Sequence, residues 1–241
     1  MTVSTTSDRH AGQRAATVWH AWHAAGESTV LPDGCMDLIW TGRRVLVAGP
    51  DTGPYRYRAD SPQSMVGLRL PPGMAPAILG HPAERLRDQR VDLADLWSGI
   101  VSDRWCSRLS EADDPATVLG EIARTRTWDP PTWLAAAADD LAAGVRVDEC
   151  ADRFGLTVRT FHRHSSRFFG YGPKTLQRIF RMRAALGDLA AGRGVAATAC
   201  RHRYADQSHM HREFVELTGH GPSWYLPARP GDSSVNQASG Q

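Results

Sequence analysis

Apolar residues in the last third of the chain recur with the period of an α-helix. Met210, Phe214 and Leu217 follow one another at i, i+4 and i+7, so they share one face of a predicted helix. Asp206 stands before this run, where its carboxylate can accept hydrogen bonds from backbone N–H groups. Gly219 follows the run, where a positive φ commonly ends a helix. The pattern therefore predicts an amphipathic helix that begins after Asp206 and ends at Gly219.

The opposite face of this helix carries side chains suited to contacts with DNA. Four of them can donate hydrogen bonds to base edges or phosphates: Gln207, Ser208, His211 and Arg212. Residues 195–202 predict a second short helix just upstream. The pair therefore predicts a helix-turn-helix, although a solvated amphipathic helix in an ordinary bundle would explain this one stretch equally well.

The same arrangement occurs earlier in the chain, which favours the helix-turn-helix. Residues 148–154 and 158–169 predict two helices joined by a tight turn. Val158, Phe161 and Phe168 are expected to face inward on the second of them. The outward face then carries five polar residues: Arg159, Thr160, His162, Arg163 and Ser166.

A long helix is predicted between the two units. Pro173 suits the first position of a helix that continues over 174–191, with an apolar stripe along one side. Another helix, over 134–143, follows the start signal of Pro130 and Pro131. The C-terminal part is therefore predicted to be an all-α module of two helix-turn-helix units joined by a linker helix.

The N-terminal part has a different pattern, with short apolar runs bounded by glycine and proline. These runs predict strands over 35–40, 45–48, 55–58 and 65–70. From residue 92 the period becomes helical, and Leu93, Leu96 and Ile100 are expected to share a face. The predicted class is α+β, with an N-terminal β-rich barrel or sandwich. The predicted segments are a β-rich domain at 14–91, a helical connector at 92–128, the helix-turn-helix module at 129–226 and a disordered tail at 227–241.

Composition and charge agree with a soluble protein that meets a polyanion at one end. No apolar run is long enough to span a bilayer, and the N-terminus lacks the apolar core of a signal peptide. The four cysteines lie far apart and are expected to be reduced thiols in a cytoplasmic protein. Residues 1–144 carry a net charge of −4, whereas residues 145–226 carry +6. This asymmetry predicts nucleic acid as the partner of the C-terminal module.

The stretch Tyr204-Ala-Asp-Gln-Ser-His-Met-His-Arg-Glu-Phe, followed by Leu217-Thr-Gly-His-Gly-Pro222, resembles the second helix-turn-helix signature of AraC/XylS-type transcription regulators. The resemblance covers about 131–226. Leu31-Pro-Asp-Gly-Cys-Met-Asp-Leu-Ile-Trp40 looks like an uncharacterised N-terminal domain of one AraC-type subgroup, which implies a cupin-like sensing or assembly domain. Carried over by position, the resemblance implies base contacts from seven residues: Arg159, His162, Arg163, Gln207, Ser208, His211 and Arg212.

Four further polar residues have two possible interpretations. Thr157, Lys174, Arg178 and Arg181 are either phosphate contacts or a solvated face. Two residues depart from the family pattern. Ser165 stands where a bulky apolar residue is usual, so we expect less apolar packing in the core of the first unit. Arg203 stands where glycine is usual, at a turn that favours positive φ, so strain or a shifted turn is expected there.

The N-terminal domain offers candidate sites with less definite chemistry. Trp19, Trp22, Trp40 and Cys35 could line a pocket for an apolar or planar effector, although core packing explains each tryptophan equally well. Asp33 and Asp37 flank Cys35 and should raise its pKa, which argues against a reactive thiolate.

A metal site is the main alternative function for this domain. The histidines and thiol available for it are His10, His20, His23, His81 and Cys35, but no carboxylate completes a triad, so no metal and no cofactor are expected. The rival hypothesis is a cupin-like metal-dependent enzyme fused to a DNA-binding module. A basic module for RNA is a third hypothesis, which the lack of exposed aromatics on the recognition helices disfavours.

The sequence thus predicts a non-enzymatic regulator that binds specific double-stranded promoter or operator DNA. A small-molecule effector, RNA polymerase and a second copy in a homodimer are its further expected partners, and no membrane is expected.

Overall fold

The computed structural model describes residues 2–3, 15–125 and 128–227. The predicted α+β class is confirmed, with strands in the N-terminal part and helices in the C-terminal part. Eight strands are found among the described residues: β1 Thr2–Val3, β2 Thr17–His23, β3 Gly26–Val30, β4 Met36–Trp40, β5 Val45–Ala48, β6 Tyr55–Ala59, β7 Gln63–Leu70 and β8 Arg90–Asp92. The pattern located β4, β5, β6 and β7, but it missed β1, β2, β3 and β8. The predicted tail, apart from Pro227, lies outside the described residues.

The strands form two sheets. One has the order β1-β3-β6 and the other the order β2-β7-β4-β5-β8. All neighbours are antiparallel except β1 and β3. Met36, Leu38 and Trp40 alternate along β4 and are buried, which is the period that a strand with one buried face requires.

Ten α-helices are found in the described residues. They are α1 Ala75–Leu79, α2 Leu93–Leu96, α3 Gly99–Glu111, α4 Pro115–Ile122, α5 Leu134–Ala142, α6 Val147–Arg153, α7 Val158–Phe169, α8 Pro173–Ala190, α9 Val195–Arg201 and α10 Gln207–Thr218. Short 3-10 turns occur at Ala83–Arg85 and Pro222–Tyr225. No helix in these described ranges combines the length and apolarity that crossing a bilayer requires.

The predicted helical connector packs into the core of the N-terminal domain. Leu109, Leu119 and Ile122 are fully buried in one cluster with Leu38 and Leu68 of the large sheet. Strands and connector helices therefore form one packed unit. One part of the prediction is wrong, because Ile100 is 85% exposed and does not share the buried face of Leu93.

The helical module has its own core, formed around α8. Leu176, Ile179 and Met182 of α8 are fully buried and contact residues of the helices on either side. The face predicted for α10 is confirmed, since its three apolar residues are 1% exposed or less. On α7, Phe161 and Phe168 are buried as predicted, but Val158 is 44% exposed, so its predicted inward position is wrong.

The two halves of the chain contact each other closely. Gly34, in the turn before β4, lies against Leu176 and Phe180 of α8, and a Cβ there would come within 3.0 Å of both side chains. Helix α7 packs against the 3-10 turn Ala83–Arg85. Tyr171, which follows α7, is fully buried. The N-terminal domain therefore rests directly on the first helix-turn-helix unit and on the linker helix.

Candidate DNA-binding surface

Helices α7 and α10 are built as structural copies of each other. Each has 12 residues and begins after a side chain that accepts a hydrogen bond from a backbone N–H. Thr157 Oγ1 accepts from the N–H of Thr160 at 3.2 Å, and Asp206 Oδ1 accepts from that of His209 at 2.6 Å. Glycines with φ of 89° and 80° end the two helices. The predicted caps are confirmed in both units.

The turn that precedes each copy contains one residue in the left-handed region. In the first unit this residue is Gly155, with φ of 65°, and in the second it is Arg203, with φ of 56°. The expected strained turn at Arg203 is confirmed. A non-glycine residue in this region costs about 1 kcal/mol, so the second turn is held by its surroundings.

Ser165 is accommodated by a hydrogen bond rather than by apolar packing. It occupies the position in α7 that Phe214 occupies in α10, and both side chains are fully buried. The Ser165 hydroxyl donates to the carbonyl oxygen of Tyr171 at 2.8 Å. This bond satisfies the buried hydroxyl and ties α7 to the segment that enters the linker helix.

The polar faces of α7 and α10 are exposed, as the sequence predicts. The structure places seven side chains in solvent: Arg159, His162 and Arg163 on α7, and Gln207, Ser208, His211 and Arg212 on α10. Within the described residues, the three arginines among them form no ion pair. Their positive charges are therefore available to an anionic partner.

The histidines on these faces are held in equivalent places. His162 and His211 are each the fifth residue of their helix. A Cβ on Gly172 would lie 3.4 Å from Nδ1 of His162, and one on Gly221 would lie 2.6 Å from Cε1 of His211. Both glycines precede a proline that starts the next helix. The two imidazole rings therefore pack against glycine backbone. The sequence did not predict this contact.

Two of the arginines offered as phosphate contacts are engaged within the protein. Arg178 and Arg181 of the linker helix both bond to Glu213, at 3.0 and 2.5 Å, and the Glu213 side chain is only 3% exposed. Arg178 also pairs with Glu216 at 2.5 Å. These bonds join α8 to α10. Lys174 is exposed, and Thr157 is occupied as the cap of α7.

A second network joins the linker helix to the start of the second unit. Asp188 Oδ2 accepts a hydrogen bond from Nε2 of His202 at 2.9 Å and pairs with Arg201 and Arg193 at 3.1 and 3.3 Å. Burial alone would raise the pKa of Asp188, but the bond from His202 and the two guanidinium charges outweigh it and lower the pKa. The aspartate is therefore held as a carboxylate.

The residues proposed as an effector pocket do not come together. Trp22 is 71% exposed, and Trp40 is buried in the N-terminal core. Trp19 donates from Nε1 to Oδ1 of Asp37 at 2.8 Å, and its ring lies against Gly67, where a Cβ would come within 2.1 Å of it. Cys35 is buried, next to Gly34, which lies against Leu176 and Phe180 of the linker helix. The four side chains therefore differ in exposure and in the residues that they contact.

Cys35 lies in a buried ionic cluster. Arg69 pairs with Asp33 and Asp37, both at 3.3 Å. Burial raises the pKa of the Cys35 thiol well above its ordinary value, and the charge of Asp33 adds to this effect. The thiol is therefore protonated and unreactive.

The histidines considered as metal ligands are also dispersed. His23 shares a hydrogen bond of 2.6 Å with the hydroxyl of Tyr57, and His81 bonds to the carbonyl of Leu96 at 3.0 Å. His10 lies outside the described residues. In the part of the chain that the structure describes, no three His, Cys, Asp or Glu side chains are grouped so that they could hold a metal ion.

An open cavity of about 600 Å³ lies between the large sheet and α4. Its lining includes the apolar residues Val18, Leu68 and Met74 and the charged residues Asp114 and Arg124. A lining that combines apolar side chains with a few polar groups is typical of sites for small organic molecules.

Known protein families match the N-terminal and C-terminal parts of the chain separately. Residues 150–227 match a family described as a helix-turn-helix domain, and residues 15–92 match a domain of unknown function, DUF6597. No curated protein shows significant sequence similarity to the chain.

Crystal structures of ToxT from Vibrio cholerae are similar in three dimensions. One is 10% identical and covers 88% of this chain and 98% of that chain, with a TM-score of 0.46. A second is 9% identical and covers 89% and 98%, with a TM-score of 0.43. A third, of ToxT bound to an unsaturated fatty acid, is 10% identical and covers 89% and 96%, with a TM-score of 0.41.

The matched helix-turn-helix residues contain α7, the linker helix and α10, which are the elements that present the exposed polar faces. The N-terminal match contains the turn at residues 31–36 and most of the two sheets. Both resemblances found in the sequence are thereby confirmed. The chain therefore carries an AraC-type helix-turn-helix domain at residues 150–227 and a DUF6597 domain at residues 15–92, and it is a DNA-binding transcription regulator.

Proposed function

We propose that the two recognition helices, α7 and α10, enter successive major grooves on one side of a duplex. This proposal rests on two helices of equal length, each capped by a side chain, whose exposed faces bear cationic and amide groups that form no ion pair within the described residues. The 18-residue linker helix α8 lies between them in the chain, followed by the short helix α9. A helix of that length spans about 27 Å, comparable to the ~34 Å repeat of B-DNA. One chain then reads two half-sites.

Base readout in this proposal follows from the chemistry of the exposed side chains. Arg159, Arg163 and Arg212 suit the O6 and N7 acceptors of guanine, and Gln207 suits the N6 and N7 groups of adenine. His162, Ser208 and His211 add single hydrogen bonds to base edges. Lys174 and the start of α7 at Thr157 provide phosphate contacts that position the module without reading sequence.

Arg178 and Arg181 serve a different purpose in this scheme. Both guanidinium groups bond to the buried carboxylate of Glu213, so they fix the angle between the linker helix and α10. Since α7 is joined to the same linker helix, this connection sets the phase of the two recognition helices.

Regulation through the N-terminal domain is the second part of the proposal. That domain packs against α7 and α8, so a change in its shape reaches the DNA-binding module directly. The cavity beside α4 supplies a place for a small effector with an apolar body. RNA polymerase and a second copy of the chain are the expected macromolecular partners besides DNA.

In vitro selection from randomised duplexes with the purified full chain tests this function. A pair of half-sites about one helical turn apart should be enriched. Binding to the enriched duplex should fall by orders of magnitude between about 50 and 200 mM salt, because phosphate neutralisation releases counterions. A scrambled duplex of equal length is the control. Equal affinity for both duplexes, or a flat salt response, would contradict the proposal.

A further inference from the structure

Val158 is an exposed apolar residue at the start of the first recognition helix. Its side chain is 44% exposed, although the helical period predicts that it faces the core with Phe161. Single exposed valines are common on protein surfaces and need no explanation by themselves. The position of Val158, at the start of a recognition helix, indicates a role in binding.

Val158 occupies the place in α7 that Gln207 occupies in α10. Both are the first residue after the capping side chain, Thr157 in one unit and Asp206 in the other. Val158 also lies one turn before His162, so the two side chains point to the same side of the helix. The N-terminal residues of a recognition helix are those that approach base edges. The same location therefore carries an amide in one unit and a branched apolar group in the other.

Only one group on the major-groove edges of the bases is apolar. It is the C5-methyl group of thymine, which distinguishes T·A from the other pairs by contact rather than by hydrogen bonding. A valine has no polar atom to offer a base edge, and its two methyl groups suit this contact. Gln207, by contrast, suits the donor and acceptor of adenine.

Resting on the proposed DNA contacts of α7, we propose that Val158 reads the methyl group of one thymine in the half-site bound by the first unit. The two half-sites are then read by different types of contact. The first is read through arginine, histidine and one apolar contact, whereas the second is read by hydrogen bonds alone. This difference gives the bound chain a fixed direction on the duplex.

The test replaces thymine by deoxyuridine, which removes the methyl group and leaves every hydrogen bond unchanged. A duplex enriched by the full chain from a random library is resynthesised with single T-to-U changes, and each affinity is measured by fluorescence anisotropy. One change in the first half-site should weaken binding by about fourfold, the factor expected for losing one buried methyl contact. In the Val158→Ala variant, the T and U duplexes should bind equally.

Val215→Ala is the matched control. Val215 is 43% exposed on α10, but it lies in the third turn, away from the helix start. This variant should keep the full preference for thymine over deoxyuridine. Circular dichroism should show both variants folded, because substitutions at exposed positions change stability little.

The outcomes separate this inference from the proposed function. An enriched duplex with no T-to-U effect that depends on Val158 would overturn the thymine contact and leave DNA binding intact. Equal weakening of the T and U duplexes by Val158→Ala would also overturn it, since that result indicates a backbone contact. Failure to enrich any duplex would overturn both.

Discussion

Pro50 of the N-terminal domain lies directly against Gly170, the residue that ends the first recognition helix. A side chain on Gly170 would overlap the proline ring. The same loop continues to Gly53, close to the carbonyl of Glu216, and to Pro54, whose Cγ would lie 3.6 Å from a Cβ on Gly219. One loop of the N-terminal domain thus touches the C-terminal ends of both recognition helices. This contact is a direct route by which that domain influences their relative position.

Replacing Gly170 should loosen this contact. Gly170→Ala puts a Cβ into Pro50 and forces a non-glycine residue to a φ of 89°. We expect a loss of about 1–3 kcal/mol in the free energy of unfolding, measured by urea denaturation. Gly187→Ala is the control, because Gly187 lies inside α8 and, among the described residues, no atom outside its own stretch of helix lies within 4 Å of a new Cβ. It should raise stability by about 0.5–1 kcal/mol. Equal effects of the two changes would contradict the contact.

Removing the charge of Glu213 should destabilise the junction between α8 and α10. Glu213→Gln leaves Arg178 and Arg181 facing a neutral amide at a buried position, at a cost of about 2 kcal/mol. Glu216→Gln is the matched control, since the Glu216 side chain is 62% exposed and its bond to Arg178 is worth about 0.5 kcal/mol. Thermal unfolding of both variants distinguishes them. If Glu213→Gln were as mild as the control, the buried carboxylate would not hold the two helices together.

Arginines at the DNA surface should discriminate between sequences. Arg163→Ala and Arg212→Ala should each weaken binding to the selected duplex by about 1–3 kcal/mol, which is the range for one bidentate contact with a base. Binding to a random duplex should fall by less. Competition gel shifts measure both affinities. An equal loss on the two duplexes would mean that these side chains contact only phosphates.

The support beneath His211 should matter for binding more than for stability. Gly221→Ala places a methyl group where the imidazole ring of His211 now lies, 2.6 Å from its Cε1 atom. The exposed ring can swing away, so unfolding should change by less than about 0.5 kcal/mol while affinity for the selected duplex falls. Gly172→Ala serves as the comparison, because its Cβ would only touch His162 at 3.4 Å. An unaltered affinity after Gly221→Ala would show that His211 does not need this position.

The network around Asp188 predicts a dependence of stability on pH. The pKa of Asp188 is lowered in the folded protein, so its contribution is complete above the unfolded value of about 3.9 and is lost as the pH falls through the folded value. Asp188→Asn should cost about 1 kcal/mol at pH 7. This difference should shrink as the pH is lowered below about 4, measured by urea unfolding at each pH. A difference that stays constant down to pH 3 would contradict the assignment.

Local sequence signals were enough to locate the DNA-binding elements. The caps at Thr157 and Asp206, the terminal glycines and the apolar period depend on residues within one or two helical turns of each other. The bounds predicted for α7 therefore agree with the structure. Strand β2 was missed because it lies at the edge of the sheet, where partly exposed residues on both faces weaken the alternation that marks a strand.

By itself, the sequence determined the two helix-turn-helix units, the linker between them and the residues on their polar faces, because helix periods and caps are short-range properties. Only the tertiary structure decided that Val158 is exposed, that Glu213 holds Arg178 and Arg181, and that Pro50 meets Gly170. The helical period determines which residues share one face of a helix. It does not determine how much of that face is covered by neighbouring helices and strands. Contacts between residues more than a hundred positions apart depend on how whole domains pack, and no local pattern records that.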